Sequence, residues 1–273
     1  MKSKFEKLIT ITEKVVRIIK KEKDIKAICL FGSVARGFVD RFSKDVDILV
    51  LVGEIPSKKE MEKIVKKIEG ARIEIVSTKF HIIRFELDKF YVDLQFFKFS
   101  EIKKSINNFL KGEIWEYWPA LINECKIIWD PRGLIKGLKK KLKPYPKKIK
   151  KKIIEDRVSN FGKFYEYMKR SIPREDKFFI YEKFYYALKD FVFVLFTLNE
   201  EYFDQLKWLN KRIEKLKIKP KNTYQRLLSI INLDFSKKSN EKKLKIFEEL
   251  VNELIELIKK NCPEIKPKIR KIK

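Results

Sequence analysis

Three observations predict a mixed α/β (α+β) domain followed by an all-α helical bundle. The run Lys26-Ala27-Ile28-Cys29-Leu30-Phe31 is apolar and stops at Gly32, as a buried strand does. In Asp45-Val46-Asp47-Ile48-Leu49-Val50 the alternate residues at the start are acidic, so one face of a strand carries both carboxylates. After about residue 112 strand signals give way to helical stripes. The expected division is therefore 1–112 for the mixed domain and 113–273 for the helical one.

The elements follow in order. Phe5, Leu8, Ile9, Val16 and Ile19 recur at helical spacing and predict an amphipathic helix over 4–22. The buried strand comes next, then a turn of small residues, Gly32-Ser33-Val34-Ala35-Arg36-Gly37, and the strand 45–52. Ser57 with Glu60 three residues on is a capping-box signature; Met61, Ile64, Val65 and Ile68 form one stripe, and Gly70 stops that helix. Segments 71–77, 81–87 and 90–97 read as strands joined by short polar turns. In the second half helical patterns fill about 147–171, 174–198, 206–217, 222–232 and 239–260. The segment 186–198 is apolar on nearly every side and belongs at the centre of a bundle.

Composition limits the chemistry. The single histidine, His81, makes Ser-His-Asp, Cys-His and histidine–metal arrangements poor candidates. Cys29, Cys125 and Cys262 have no paired spacing, so reduced thiols are expected. No run approaches the roughly 18 apolar residues of a membrane span, and the charged, amphipathic N-terminus does not read as a secretory signal. A cytoplasmic protein with no membrane partner is the expectation. The net charge of +27 has two competing causes. One is nucleic-acid binding; the other is a thermophile-like habit of using Lys, Ile and Glu freely while glutamine appears only as Gln95, Gln205 and Gln225. Residues 1–100 hold 22 Lys and Arg against 15 Asp and Glu, so most of the excess lies in the helical half, notably over 136–152 and in the tail 266–273. Pro144 and Pro146 interrupt the lysine run at 136–152, which therefore reads as spanning a linker between helices.

Two like charges side by side on a strand need a positive partner. A third acid, Asp93, shares a strand face with Gln95, while Val92, Leu94 and Phe96 take the other. If that strand lay beside 45–52, three carboxylates would gather on one sheet surface. Oxygen-only ligation of this kind suits Mg²⁺, which keeps waters and shares substrate phosphates. Gly32 and Ser33 fit a phosphate cradle: glycine allows close backbone approach and the hydroxyl donates.

These residues resemble the DNA polymerase β-like nucleotidyltransferase superfamily. "GSVARG", then "DVDILV", then "VDLQF" reproduces its order of Gly-Ser, acid-x-acid and a third acid on a later strand. The small prokaryotic members, including minimal and aminoglycoside nucleotidyltransferases, are most similar. The resemblance covers roughly residues 26–98 and implies an N-terminal catalytic domain that moves an NMP from an NTP to an acceptor hydroxyl, releasing pyrophosphate. It implies that Gly32 and Ser33 hold the triphosphate and that Asp45 and Asp47 ligate Mg²⁺, two ions with nucleotide bound. Asp93 would bind the catalytic metal and help deprotonate the acceptor. Arg36 is a further candidate for a phosphate. ATP is the first NTP expected; the acceptor, whether RNA, protein or small molecule, is not readable. One departure is a lysine: the chain reads Ser43-Lys44-Asp45, where many members have serine directly before the first acid.

Weaker candidates have simpler readings. Glu74 and Glu86 rival Asp93 as third acid, but their flanks match the family pattern less well. His81 suits a half-buried position. Phe178, Phe179, Tyr181, Phe184, Tyr185 and Tyr186 have helical spacing and read mostly as core, with one or two free to stack on a base. Glu182 and Asp190 read as a solvated face. The alternative from another class is a non-catalytic nucleotide- or RNA-binding module of a toxin–antitoxin or RNA-processing assembly.

Overall fold

The computed structural model describes residues 3–113 and 117–269; the last four residues of the basic tail lie outside them. The chain forms two compact units, 1–144 and 145–273. The expected boundary at 112/113 thus falls inside the first unit. The cause is a short strand that the sequence pattern did not reveal, four residues long and paired onto the main sheet.

In the first unit the order is α1 (Lys4–Ile19), β1 (Ile25–Phe31), α2 (Gly32–Arg36), β2 (Asp45–Val52), α3 (Lys58–Lys66), β3 (Arg72–Ser77), β4 (Ile82–Leu87), β5 (Phe90–Lys98), α4 (Phe99–Lys111), α5 (Tyr117–Glu124), β6 (Lys126–Trp129) and α6 (Leu134–Leu142). The strands form one sheet in the order β3-β4-β5-β2-β1-β6. β2 and β5 are parallel and the other pairs antiparallel. Capping boxes start α1 at Ser3/Glu6 and α3 at Ser57/Glu60, each satisfying free N–H groups at a helix start.

Alternation sets the two faces. Val46, Ile48, Val50 and Val52 of β2, with Val92, Leu94 and Phe96 of β5, are buried in one core with Leu8, Val15 and Ile19 of α1 and Met61 and Val65 of α3. On the opposite face Leu49 and Leu51 are also buried, whereas Asp45 and Asp47, at the start of β2, are half-buried. The acids therefore sit where a covered sheet face meets solvent.

The second unit comprises α7 (Lys147–Ser171), α8 (Lys177–Leu198), α9 (Leu209–Glu214), α10 (Thr223–Asn232) and α11 (Lys237–Asn261). Phe191 through Leu198 are all buried, as the unbroken apolar run predicts. The aromatic run before them is corrected. Ile180, Phe184 and Ala187 form the buried stripe, while Phe178, Tyr181, Tyr185 and Tyr186 are exposed. Aromatics on nearly consecutive helical positions cannot all share one face. The lysine run spans a short linker between helices, as expected: 143–146 joins α6 to α7, and the lysines on either side are helical. Lys150 is buried and pairs with Glu200 at 3.0 Å.

Among the described residues no helix is long and apolar enough to cross a membrane.

Candidate active site

β1 delivers the chain to Gly32, whose φ of +70° lies in the left-handed region. A side chain there would be strained, and it would also collide: a Cβ on Gly32 would sit 2.1 Å from Asp47 Oδ2. The glycine is thus a close approach between the turn and the acidic strand, set by the pairing of Phe31 with Asp47. Ser33 follows it and is buried. Ser43 does not face the acids. Its hydroxyl closes the preceding loop on Asp40 at 3.0 Å, while Lys44 uses its carbonyl to accept from Tyr91 N–H at 2.7 Å. The lysine before the first acid therefore leaves the strand register intact.

The register brings the acids together. In the parallel pair β2/β5, Asp47 lies opposite Asp93 and Asp45 opposite Tyr91. Across the other edge of β5, Asp93 lies opposite Arg84. Arg84 Nε donates to Asp93 Oδ1 at 2.7 Å and Nη2 to Oδ2 at 2.6 Å, a two-pronged pair on the same face as the other two acids. These hydrogen bonds, opposed by partial burial and reinforced by the charges of Asp93, Asp45 and Asp47, raise the guanidinium above its ordinary pKa. The positive partner of the acidic strand is, in this structure, an arginine from β4. Sequence reading missed it, because only the β4-β5-β2 strand order makes Arg84 a neighbour.

The remaining candidates separate. Arg36 is in an ion pair with Glu124 at the end of α5, its side chain 10% exposed. A phosphate would have to compete with that carboxylate. Glu86 and Glu74 both pair with Arg72, at 2.6 and 3.1 Å. His81 is half-buried in a tight turn with φ of +55°. Asp190 pairs with Arg157 and accepts from Asn160 at 3.0 Å, so it is not a plain solvated acid.

A metal bound here would find hard oxygen donors. Asp45 and Asp47 share a face at the open end of β2, and the glycine that abuts Asp47 leaves no side chain over it. Two carboxylates suit an open Mg²⁺ site that takes its other oxygens from water and phosphate. As the side chains stand, both Asp93 oxygens are held by Arg84, and among the described residues no three acids, thiols or imidazoles are placed to hold a metal ion together. The oxygen donors of Asp45 and Asp47 fit such a site, and each Asp93 oxygen accepts one hydrogen bond from Arg84.

A strand–turn–strand unit with a glycine pressed on an acid-x-acid strand, beside a parallel strand bearing a third acid, defines a nucleotidyltransferase-type domain. The family models point the same way for the first unit. Residues 13–102 match the family model "Polymerase beta, Nucleotidyltransferase", and residues 119–209 match a "Domain of unknown function (DUF4037)". A protein of Methanocaldococcus jannaschii named "Putative protein adenylyltransferase MJ0141" is 48% identical over 61 residues, which is 19% of this chain and 61% of that protein. The chain thus spans about three-fifths of the length of this curated relative. Among solved structures, a nucleotidyltransferase-like protein from Exiguobacterium sibiricum is 12% identical, with 94% of this chain and 78% of that one covered and a TM-score of 0.45. Spectinomycin adenyltransferase AAD(9) from Enterococcus is 15% identical, with 91% and 98% covered and a TM-score of 0.35.

Proposed function

We propose that the first unit transfers an NMP from an NTP to an acceptor hydroxyl and releases pyrophosphate. The observation that carries this reading is the contact of Gly32 with Asp47, which brings a candidate phosphate turn against a candidate metal-binding acid. In the reaction the acceptor oxygen bonds to the α-phosphorus as the bond to the bridging α–β oxygen breaks. Asp45 and Asp47 are the metal-holding carboxylates. Bound Mg²⁺ would neutralise charge on the attacking and leaving oxygens. Gly32 and Ser33 orient the triphosphate, Gly32 by close backbone approach and Ser33 through its hydroxyl. Asp93 takes the acceptor's proton on a lone pair that its hydrogen bonds to Arg84 leave free. Arg36 stands as a secondary phosphate contact, since Glu124 already engages it.

The name of the 48%-identical relative makes ATP and a protein hydroxyl the first pair to try. The test is incubation with each α-labelled NTP, Mg²⁺ and cell extract, followed by separation of RNA, protein and small molecules. The proposal expects label in one class and none without the divalent ion. The Arg84–Asp93 pair favours a second reading, a module that binds nucleotide without turnover because its third acid is occupied. That reading expects NTP to stabilise the protein while no α-label moves.

A further inference from the structure

A cavity of about 360 Å³ opens in the second unit between α8, α10 and α11, and none of the residues that the nucleotide reading uses lines it. Its walls are apolar and rich in aromatic rings, among them Phe184, Tyr185, Tyr224, Leu227 and Phe235. Its one charged lining residue is Lys243, on α11. A volume of this size lies in the ordinary range for small-molecule sites, which pair apolar walls with a few placed polar groups.

Lys243 is the unusual component. It is 2% exposed, yet among the described residues its ammonium makes no hydrogen bond or ion pair. Its contacts are ring faces: Nζ lies 3.6 Å from the centroid of Phe235 and 5.9 Å from that of Phe184. Asp234 acts on it through charge, while its Oδ1 accepts from Ser236 N–H at 2.9 Å and Ser236 Oγ–H at 2.7 Å. Burial accordingly pulls the ammonium below its ordinary pKa, with Asp234 opposing. Cation–π contact compensates part of the lost hydration, and among the described residues no protein group accepts from the ammonium at the cavity wall. A cation held on an apolar cavity wall is stabilised by an anion placed beside it.

We propose that this cavity binds a small apolar molecule, flat or chain-like, that carries one carboxylate, with the carboxylate on Lys243 and the apolar body against the rings. The mouth allows entry, since Ile231 is 65% and Leu228 38% exposed. A single point cation matches a monoanion. A nucleotide would need several donors in fork or backbone arrays, which this lining does not offer. The site stands apart from the nucleotidyl-transfer reading and does not depend on it.

The test is calorimetric titration of the full chain with 2-naphthoate and with 2-naphthalenemethanol, which has the same ring system and no charge. A hydrogen-bonded charge pair in a desolvated slot should favour naphthoate by about 10-fold or more. Lys243→Met keeps the stem and removes the charge; it should abolish that preference while the alcohol still binds. Leu228→Trp, at the half-open mouth, should weaken both probes. Equal affinity of the two probes for the wild-type chain would overturn the proposal without recourse to any variant. So would a naphthoate preference that survives Lys243→Met, because the 65 Lys and Arg of this chain would then be binding the anion at its surface.

Discussion

Replacing Arg84 by glutamine removes the cation that faces three carboxylates on the open sheet surface. The Asp93 side chain is 10% exposed and that of Arg84 39%, so the pair lies between an exposed ion pair and a buried one. Exposed pairs contribute at most about 1 kcal/mol, and breaking a buried one costs about 3–5 kcal/mol. Discounting for the solvent at Arg84, the variant should lose roughly 2 kcal/mol, or about 4–8 °C in the melting of the first unit. Mg²⁺ should then act differently on the two proteins. In the parent it must displace or ignore Arg84; in the variant it meets Asp45, Asp47 and an unpaired Asp93. Scanning calorimetry with Mg²⁺ and with chelator should show the ion restoring most of the lost stability in Arg84→Gln and raising the parent less. An unchanged melting temperature, together with equal responses to Mg²⁺, would refute the view that Arg84 holds the place of a metal charge.

Gly32→Ala puts a Cβ 2.1 Å from Asp47 Oδ2 at a φ of +70°. It should cost about 1–3 kcal/mol in denaturant unfolding and abolish transfer, because Asp47 must move. In the second unit, hydrogen bonds from Ser239 and Ser236 hold the Asp234 carboxyl down to about 2 from 3.8. Its contribution to stability is present above 3.8 and lost as pH falls through about 2. Asp234→Ala should therefore flatten the acid limb of a stability–pH curve in that window and leave the neutral limb's slope unchanged. Glutamine at Lys147, Lys148 and Lys151, with the buried Lys150 kept, should leave RNA affinity and its salt slope unchanged if the basic charge is a compositional habit. A shallower slope in filter binding would instead place nucleic acid on α7.

Local patterns were legible and pairings between distant segments were not. Alternation in 45–50 and 90–97 places the three acids on one face, and the parallel register confirms Asp47 opposite Asp93. Helical stripes locate α7 and α11 within two residues. What the sequence hid depends on strand order and helix docking. Arg84 meets Asp93 because β4 flanks β5, and Arg36 meets Glu124 across 88 residues. β6 is four residues long, too short for a periodic signal, yet it moves the unit boundary. Cys29 and Cys125 have no telling spacing in sequence. The structure buries both, and the Cys125 thiol donates to the Ile122 carbonyl at 3.3 Å.

The central claim is chemical: the acids beside Gly32 serve transfer of a nucleotidyl group. The most direct measurement compares ATP labelled on the α-phosphate with ATP labelled on the γ-phosphate, using the wild type, Asp45→Asn and Asp47→Asn, with Mg²⁺ and the acceptor fraction. The account predicts that α-label joins the acceptor while γ-label leaves as pyrophosphate. Either substitution should slow transfer by roughly 10³-fold, about 4 kcal/mol, without unfolding the protein. Transfer of γ-label, or near-wild-type transfer of α-label by Asp47→Asn, would contradict it.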